Sequence, residues 1–348
     1  MSGGHLWIAA PHWVGDLVMA TPVLHAALAT ERWARVSIGV RAHLAELLAG
    51  GALEPHLVAH RGGDDEVRRL RERAPDAALL LSNSLGSAWR AFRAGVPVRA
   101  GADLHGRGWL LTHALRPPRL DGRRFPIPTA HLHRDVAGLV GVLSPGLHPR
   151  LTSPEAERAA ARARLAELGL APDEPYVYCA PGAAFGAAKL WPPERFAAVL
   201  DLLRERHGWR GVVGGGPREE RLVRAVAGAS KRDCLHLADA PGTLAGLKAL
   251  VAEAACVLVG DSGPRWVAAA FDVPCVTILG PNIPQLTATS LERCEVVRLE
   301  GLECSPCAER TCPLGHHRCM QDLSVEAVLA GVERVLARAN PTLETVCN

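Results

Sequence analysis

Five short segments of the chain carry residue types that could do chemistry. Leu6-Trp-Ile-Ala-Ala-Pro-His-Trp-Val-Gly-Asp16 is an apolar run that ends in a Gly-Asp turn ahead of a helical stretch. A carboxylate there can take a proton from an attacking hydroxyl, or simply cap the helix that follows. Lys189 is one of three lysines among 36 arginines, and it follows the loop Pro181-Gly-Ala-Ala-Phe-Gly186. Its compact ammonium suits a departing diphosphate, whose charge grows as a glycosidic bond breaks. Gly214-Gly-Gly-Pro-Arg-Glu219-Glu220 lacks both Gly-x-Gly-x-x-Gly and Gly-Lys-Ser/Thr. An adenosine fits it better, with Glu219 or Glu220 accepting from ribose hydroxyls; charge complementarity at a helix start would serve either glutamate otherwise. Asp261-Ser-Gly closes the apolar run from Val257 to Gly260. Ser262 and Gly263 then offer backbone N–H groups to a phosphate at a helix N-terminus, although an ordinary capped turn reads the same way.

The fifth segment is Cys304-x2-Cys307-x4-Cys312-x6-Cys319, with His316 and His317 inside it. Four thiolates can hold a tetrahedral zinc ion. The x4 and x6 spacings are not those of a standard zinc ribbon, and buried thiols or a labile disulfide are the other reading. Ten cysteines without an export signal point to reduced thiols. Met-Ser-Gly-Gly-His lacks the basic start of a signal peptide, and Pro11 and Asp16 break the apolar stretch behind it.

Elements that position these residues are legible in the hydrophobic pattern. Strands are expected over 6–10, 36–40, 56–60, 77–82 and 96–101, with helices over 22–29, 42–48, 64–73 and 131–143. A helix over 154–168 leads into a Gly- and Pro-rich segment, 169–175, that starts a second series. There, strands are expected over 176–180, 211–215, 256–260, 275–279 and 294–299, with helices over 193–206, 219–227, 244–255 and 267–271 and a last one over 325–339. This is βα repetition twice over, an α/β chain with two doubly wound, mostly parallel sheets. At 348 residues the length suits two domains, and no run approaches the ~20 apolar residues that span a bilayer.

Charge is uneven. Residues 1–150 carry 18 arginines, no lysine and 12 carboxylates, a net of +6, whereas the remainder is net −3. Guanidinium groups pair with phosphate and carboxylate in a bidentate fork, so the first half suits an anionic partner. Nucleic acid is disfavoured, because no array of stacking aromatics accompanies the charge.

The segments around Asp16, Lys189, Asp261 and the cysteines, in this order, together resemble the ADP-heptose:lipopolysaccharide heptosyltransferases of glycosyltransferase family nine. Phe185-Gly-Ala-Ala-Lys-Leu-Trp-Pro and the cysteine-rich tail resemble the heptosyltransferase II branch most. The resemblance implies a GT-B fold, two Rossmann-like domains facing each other across a cleft. It places an acceptor-binding domain over 1–170, a nucleotide-sugar domain over 171–325 and a C-terminal helix within 326–348 that crosses back to the first domain. It implies inverting heptosyl transfer from ADP-heptose to a heptosyl-Kdo2-lipid A inner core, with Asp16 as base and no required cofactor or metal. Gly182, Lys189, Asp261, Ser262, Gly263, Leu244 and one of Glu219 and Glu220 would hold the donor. Arg123, Arg124 and Arg134 are candidates for acceptor phosphates. A monomer in the cytoplasm, peripheral to the cytosolic face of the inner membrane, is expected. One position departs from the family pattern: Trp266 stands where a histidine near the donor is usual, which leaves the donor sugar open. A family-nine enzyme with another nucleotide sugar, or a non-catalytic nucleotide-sugar-binding protein, are the alternatives.

Overall fold

The computed structural model describes residues 3–120, 123–144, 146–239 and 242–339, with the side chains of Leu120, Arg123 and Arg124 outside that description. The chain divides into two compact units, residues 1–152 with 285–289, and residues 153–284 with 290–348.

The first unit runs β1 (Gly4–Ala9), α1 (Val14–Ala29), β2 (Trp33–Arg41), α2 (Ala45–Leu48), β3 (Leu57–His60), α3 (Gly63–Arg73), β4 (Ala77–Leu80), α4 (Leu85–Arg93), β5 (Val98–Ala102) and β6 (His113–Leu115). These six strands form one parallel sheet in the order β3-β2-β1-β4-β5-β6. Strand β1 is central, so Leu6, Trp7 and Ile8 are fully buried on both faces, as a continuous apolar run requires. A small antiparallel ribbon, β7 (Arg119–Leu120) with β8 (Arg123–Arg124), precedes α5 (Thr129–Gly138).

Helix α1 begins eight residues before the expected start at Pro22, because the proline lies inside the helix and does not open it. A proline at this position removes the N–H that would have met the Val18 carbonyl. Thr21 Oγ1 donates to that carbonyl at 2.7 Å and accepts from the Arg150 N–H at 2.8 Å. With the orphaned acceptor satisfied, the helix continues.

The second unit contains α6 (Glu155–Glu167), β9 (Tyr176–Ala180), α7 (Pro193–His207), β10 (Arg210–Val213), α8 (Glu220–Ala229), β11 (Leu235–His236), α9 (Leu244–Ala252), β12 (Cys256–Gly260), α10 (Pro264–Ala270), β13 (Cys275–Ile278), β14 (Cys294–Val297), α11 (Arg318–Gln321) and α12 (Val325–Ala339). Its parallel sheet has the order β11-β10-β9-β12-β13-β14. Both sheets therefore follow the same winding rule. The strand order reverses beside β1 and β4 in one and beside β9 and β12 in the other, the places where doubly wound sheets bind ligands.

Two boundaries differ from expectation. The division falls after residue 152, not 170, because α6 belongs to the second unit. Lys248 on α9 is fully buried and its Nζ lies 3.3 Å from Glu157 Oε2, while Arg162 pairs with both Glu155 and Glu253. Over its described length the last helix packs within the second unit. Val328, Leu329, Val332 and Val335 of α12 join the second unit's core, and Arg334 and Arg338 each reach Glu295 at 2.8 Å. Residues 340–348 lie outside the described range. Among the described residues no helix is long and apolar enough to cross a membrane.

Candidate active site

In the second unit, β9 and β12 are neighbours with Ala180 opposite Val259, so the loops leaving their carboxyl ends start side by side. That register brings together two residues that are 72 positions apart in sequence. Lys189 Nζ donates to Asp261 Oδ2 at 2.6 Å, and both side chains are more than nine-tenths buried. Asn282 Nδ2 donates to the same carboxylate oxygen at 2.8 Å. The ammonium also sits 4.6 Å from the centroid of the Phe185 ring, whose π face favours a cation. Gly260 closes β12 beside the carbonyls of Pro181, Gly182 and Lys189, which a Cβ at this position would meet at ordinary van der Waals distance.

The loop after β10 completes this corner. Glu219 is the N-cap residue of α8; its carboxylate accepts from Gly216 N at 2.8 Å and lies against Gly182, where an added Cβ would overlap it. Gly182 and Glu219 line a cavity of about 500 Å³ together with Ala183, Leu190, Pro193, Arg218 and Arg221. Glu220, one step further along the helix start, is exposed. Ser262 Oγ donates to Gly260 O at 3.3 Å and Gly263 is the N-cap of α10. That helix is only seven residues long with Pro264 at its first position, so one of its leading N–H donors is missing. Leu244 is half-buried at the start of α9, where the Thr243 hydroxyl accepts from Gly246 N at 3.0 Å. Trp266 is buried, with the Arg265 guanidinium 4.3 Å from its ring centroid. Neither Leu244 nor Trp266 lines the Gly182–Glu219 cavity.

The cysteine-rich segment buttresses the Lys189 turn. His317 Nε2 donates to Ala188 O at 2.7 Å, which requires the Nε2–H tautomer, and Ala188 N donates to Arg310 O at 3.0 Å. Cys304, Cys307, Cys312 and Cys319 line one cavity of about 260 Å³ with His316 and His317. All four are free thiols, and among the described residues no three His, Cys, Asp or Glu side chains are disposed to hold a metal ion. Backbone N–H groups, that of His317 first at 3.3 Å from the sulfur, hold the Cys312 thiol below its ordinary range; burial pushes Cys319 up.

In the first unit Asp16 is half-buried in the first turn of α1, directly after β1. Sequence reasoning missed the charged cluster on this unit's strand ends. Arg41 ends β2, His60 ends β3, Glu66 lies on the first turn of α3 and Arg90 projects from α4. Glu66 Oε2 accepts from Arg90 Nε at 2.5 Å and lies 3.7 Å from His60 Nδ1. Burial raises the Glu66 pKa against the pull of Arg90, and burial with Arg41 and Arg90 lowers both His12 and His60 to about 4. The available signal was position: charged residues at the carboxyl ends of strands in a doubly wound sheet. Arg134, on α5, is ion-paired with its neighbour Asp135 at 2.9 Å. The side chains of Arg123 and Arg124 lie outside the described residues.

A doubly wound pair of units with a buried cation at the second switch point is suited to holding a nucleotide-linked leaving group. The chain belongs to glycosyltransferase family 9 (heptosyltransferase), whose sequence profile matches residues 66–318, and it is thus a glycosyltransferase. It is similar to lipopolysaccharide heptosyltransferase 2 of Escherichia coli strain K12, with 27% identity over 94% of this chain and 97% of that one. Lipooligosaccharide heptosyltransferase 2 of Campylobacter jejuni is 31% identical over 163 residues, about half of each chain at 46% and 50%. Among solved structures, E. coli ADP-heptose lipopolysaccharide heptosyltransferase II matches with a TM-score of 0.76 and 25% identity, over 96% of this chain and 99% of that one. The two units are those of a GT-B fold.

Proposed function

We propose that this protein transfers heptose from ADP-L-glycero-D-manno-heptose to a heptosyl-Kdo2-lipid A inner core in lipopolysaccharide biosynthesis, with inversion at the anomeric carbon. The observation that carries this is the buried Lys189–Asp261 pair at the switch point of the second unit, in a chain that belongs to family 9. Similarity to heptosyltransferase 2 enzymes over nearly the whole chain supports the donor and acceptor.

The acceptor hydroxyl attacks the anomeric carbon while the bond from that carbon to the diphosphate oxygen breaks. ADP leaves with the bonding electrons, and the Asp16 carboxylate takes the hydroxyl proton. Lys189 donates to the departing diphosphate and so stabilises charge that develops in the transition state. Glu219, not the exposed Glu220, accepts from the ribose hydroxyls, and Gly182 gives the nucleotide room beside it. The lipid acceptor places the enzyme, as a peripheral monomer, on the cytosolic face of the inner membrane.

Mass spectrometry of a heptosyl-Kdo2-lipid A acceptor tests this, with ADP-heptose, ADP-glucose and other nucleotide sugars offered in parallel. The expected result is a mass gain of one heptose from ADP-heptose alone, abolished by Asp16→Ala with ADP binding retained. Full turnover by Asp16→Ala would remove the base assignment. Transfer from another donor would keep the mechanism and change the sugar, the outcome that Trp266 leaves open.

A further inference from the structure

Helix α4 is built with its sizes reversed. Its buried face carries Ser87, Ala88 and Ala91, while Leu85, Trp89 and Phe92 are 48%, 43% and 46% exposed. These three recur at i, i+4 and i+7, so they form one apolar stripe directed at solvent. Trp109, 68% exposed on a short turn over 108–110, extends it. The ring centroids lie 5.6 Å apart for Trp89 and Phe92, 6.4 Å for Trp89 and Trp109, and 6.5 Å for Phe92 and Trp109. The three rings form one cluster that is held in place from below. Arg99 lies 5.5 Å from the Phe92 centroid and donates to Val96 O at 2.6 Å and to Leu110 O at 2.7 Å, next to the fully buried Leu110 side chain.

Charge around the cluster is mixed but positive in balance. Arg93 is half-exposed on α4 and pairs with Asp64 at 2.7 Å, Arg71 donates to Arg93 O at 2.8 Å, and Arg90 pairs with the buried Glu66. With Arg99, and with Arg116 beside the Asp103 carboxylate that lies against Gly108, five guanidinium groups accompany three carboxylates, in a half of the chain that is net +6.

We propose that this aromatic cluster is a docking surface for an anionic phospholipid bilayer. Tryptophan rings settle at the headgroup level of a membrane, and arginines beside them gain from anionic lipid. A second copy of the chain is the weaker occupant. Four half-exposed side chains offer about 400 Å², half of what each partner of a stable protein interface buries. Self-association would also bring two positive surfaces together, whereas an anionic surface attracts one. The docking surface deepens the proposed reading, which places the acceptor in a bilayer, yet its test needs no sugar chemistry.

The test is flotation of the full chain with vesicles of phosphatidylglycerol and phosphatidylethanolamine, against phosphatidylcholine vesicles, without donor or acceptor. Binding to the anionic vesicles, weakened by salt, is expected. The triple variant Trp89→Ser, Phe92→Ser, Trp109→Ser should bind roughly tenfold or more weakly, with turnover on a delipidated, water-soluble acceptor unchanged. Trp109→Ser alone, at the most exposed ring, should give a smaller loss with an unchanged melting temperature, which separates docking from misfolding. Wild-type protein that stays unbound, or unaltered binding by folded variants, would overturn the proposal. So would concentration-dependent dimerisation in sedimentation that the same substitutions abolish. An inactive protein that still floats would instead preserve the docking surface and sink the proposed reaction.

Discussion

Replacing Lys189 with methionine separates two roles that its position gives it. The ammonium is the charge partner of Asp261 at 2.6 Å, and it is assigned to the leaving diphosphate. Removing one partner of a buried pair costs about 3–5 kcal/mol, because the other charge stays behind. Here Asn282 still donates to Asp261 at 2.8 Å, and a hydrogen bond to a charged group returns about 1.5–3 kcal/mol. The net loss of stability is then about 2 kcal/mol, readable as a lower urea midpoint. Loss of a preorganised charge from the transition state lowers kcat by about 100- to 1000-fold. The second variant, Lys189→Met with Asp261→Asn, removes the orphaned charge. Its urea midpoint should return close to wild type, and turnover, followed as ADP release, should not. Were the double variant to recover kcat to within about threefold, Lys189 would be a structural ion-pair partner only, and the assignment to the diphosphate would fail.

Two further outcomes follow from the same geometry. Gly182→Ala sets a methyl group against the Glu219 carboxylate and displaces it from Gly216 N; ADP affinity by calorimetry should fall by roughly tenfold, the worth of one charge-assisted hydrogen bond. An unchanged ADP affinity would take Glu219 out of the nucleotide site. His133 is fully buried on α5, and burial lowers its pKa from 6.5 to about 4. The unfolded chain therefore binds the extra proton first, so stability is complete above pH ~6.5 and falls as pH drops toward ~4, by up to about 1.4 kcal/mol per pH unit. His133→Gln should reduce this acid slope in urea titrations between neutral pH and pH ~5 and leave the share that His12 and His60 contribute; an identical slope in both proteins would rule out the His133 imidazole as a source.

The apolar runs at 256–260 and 275–279 and the Asp-Ser-Gly turn between them were legible because a strand buried on both faces is almost wholly apolar, Thr277 being the one hydroxyl within the two runs. What sequence could not give was the partner of Asp261. Lys189 meets it only because β9 pairs with β12, a neighbour three strands later in the chain, and no local pattern encodes that pairing. Glu219 and Glu220 were indistinguishable for a related reason. They are consecutive residues at a helix start, and one step of backbone rotation decides which carboxylate turns into the cavity. The N-terminal extent of α1 was hidden by Pro22, whose missing N–H reads as a helix start until Thr21 is seen to serve the vacated carbonyl.

Helix α4 was missed for a different reason. Periodicity identifies a helix by assuming that its large apolar side chains face the core. In 85–93 the small residues face the core and the large ones face outward, so the apolar stripe follows helical spacing yet belongs to no interior. An element that defeats the pattern in this way has exchanged packing of its large residues for their exposure, and burial offers no reason for such an exchange. That is why the failure of the sequence reading at α4 and the proposed bilayer contact rest on the same four side chains, Leu85, Trp89, Phe92 and Trp109. If serine at the three aromatic positions leaves the melting temperature unchanged, those rings contribute nothing measurable to the unit's own stability, as a surface kept for an external contact predicts.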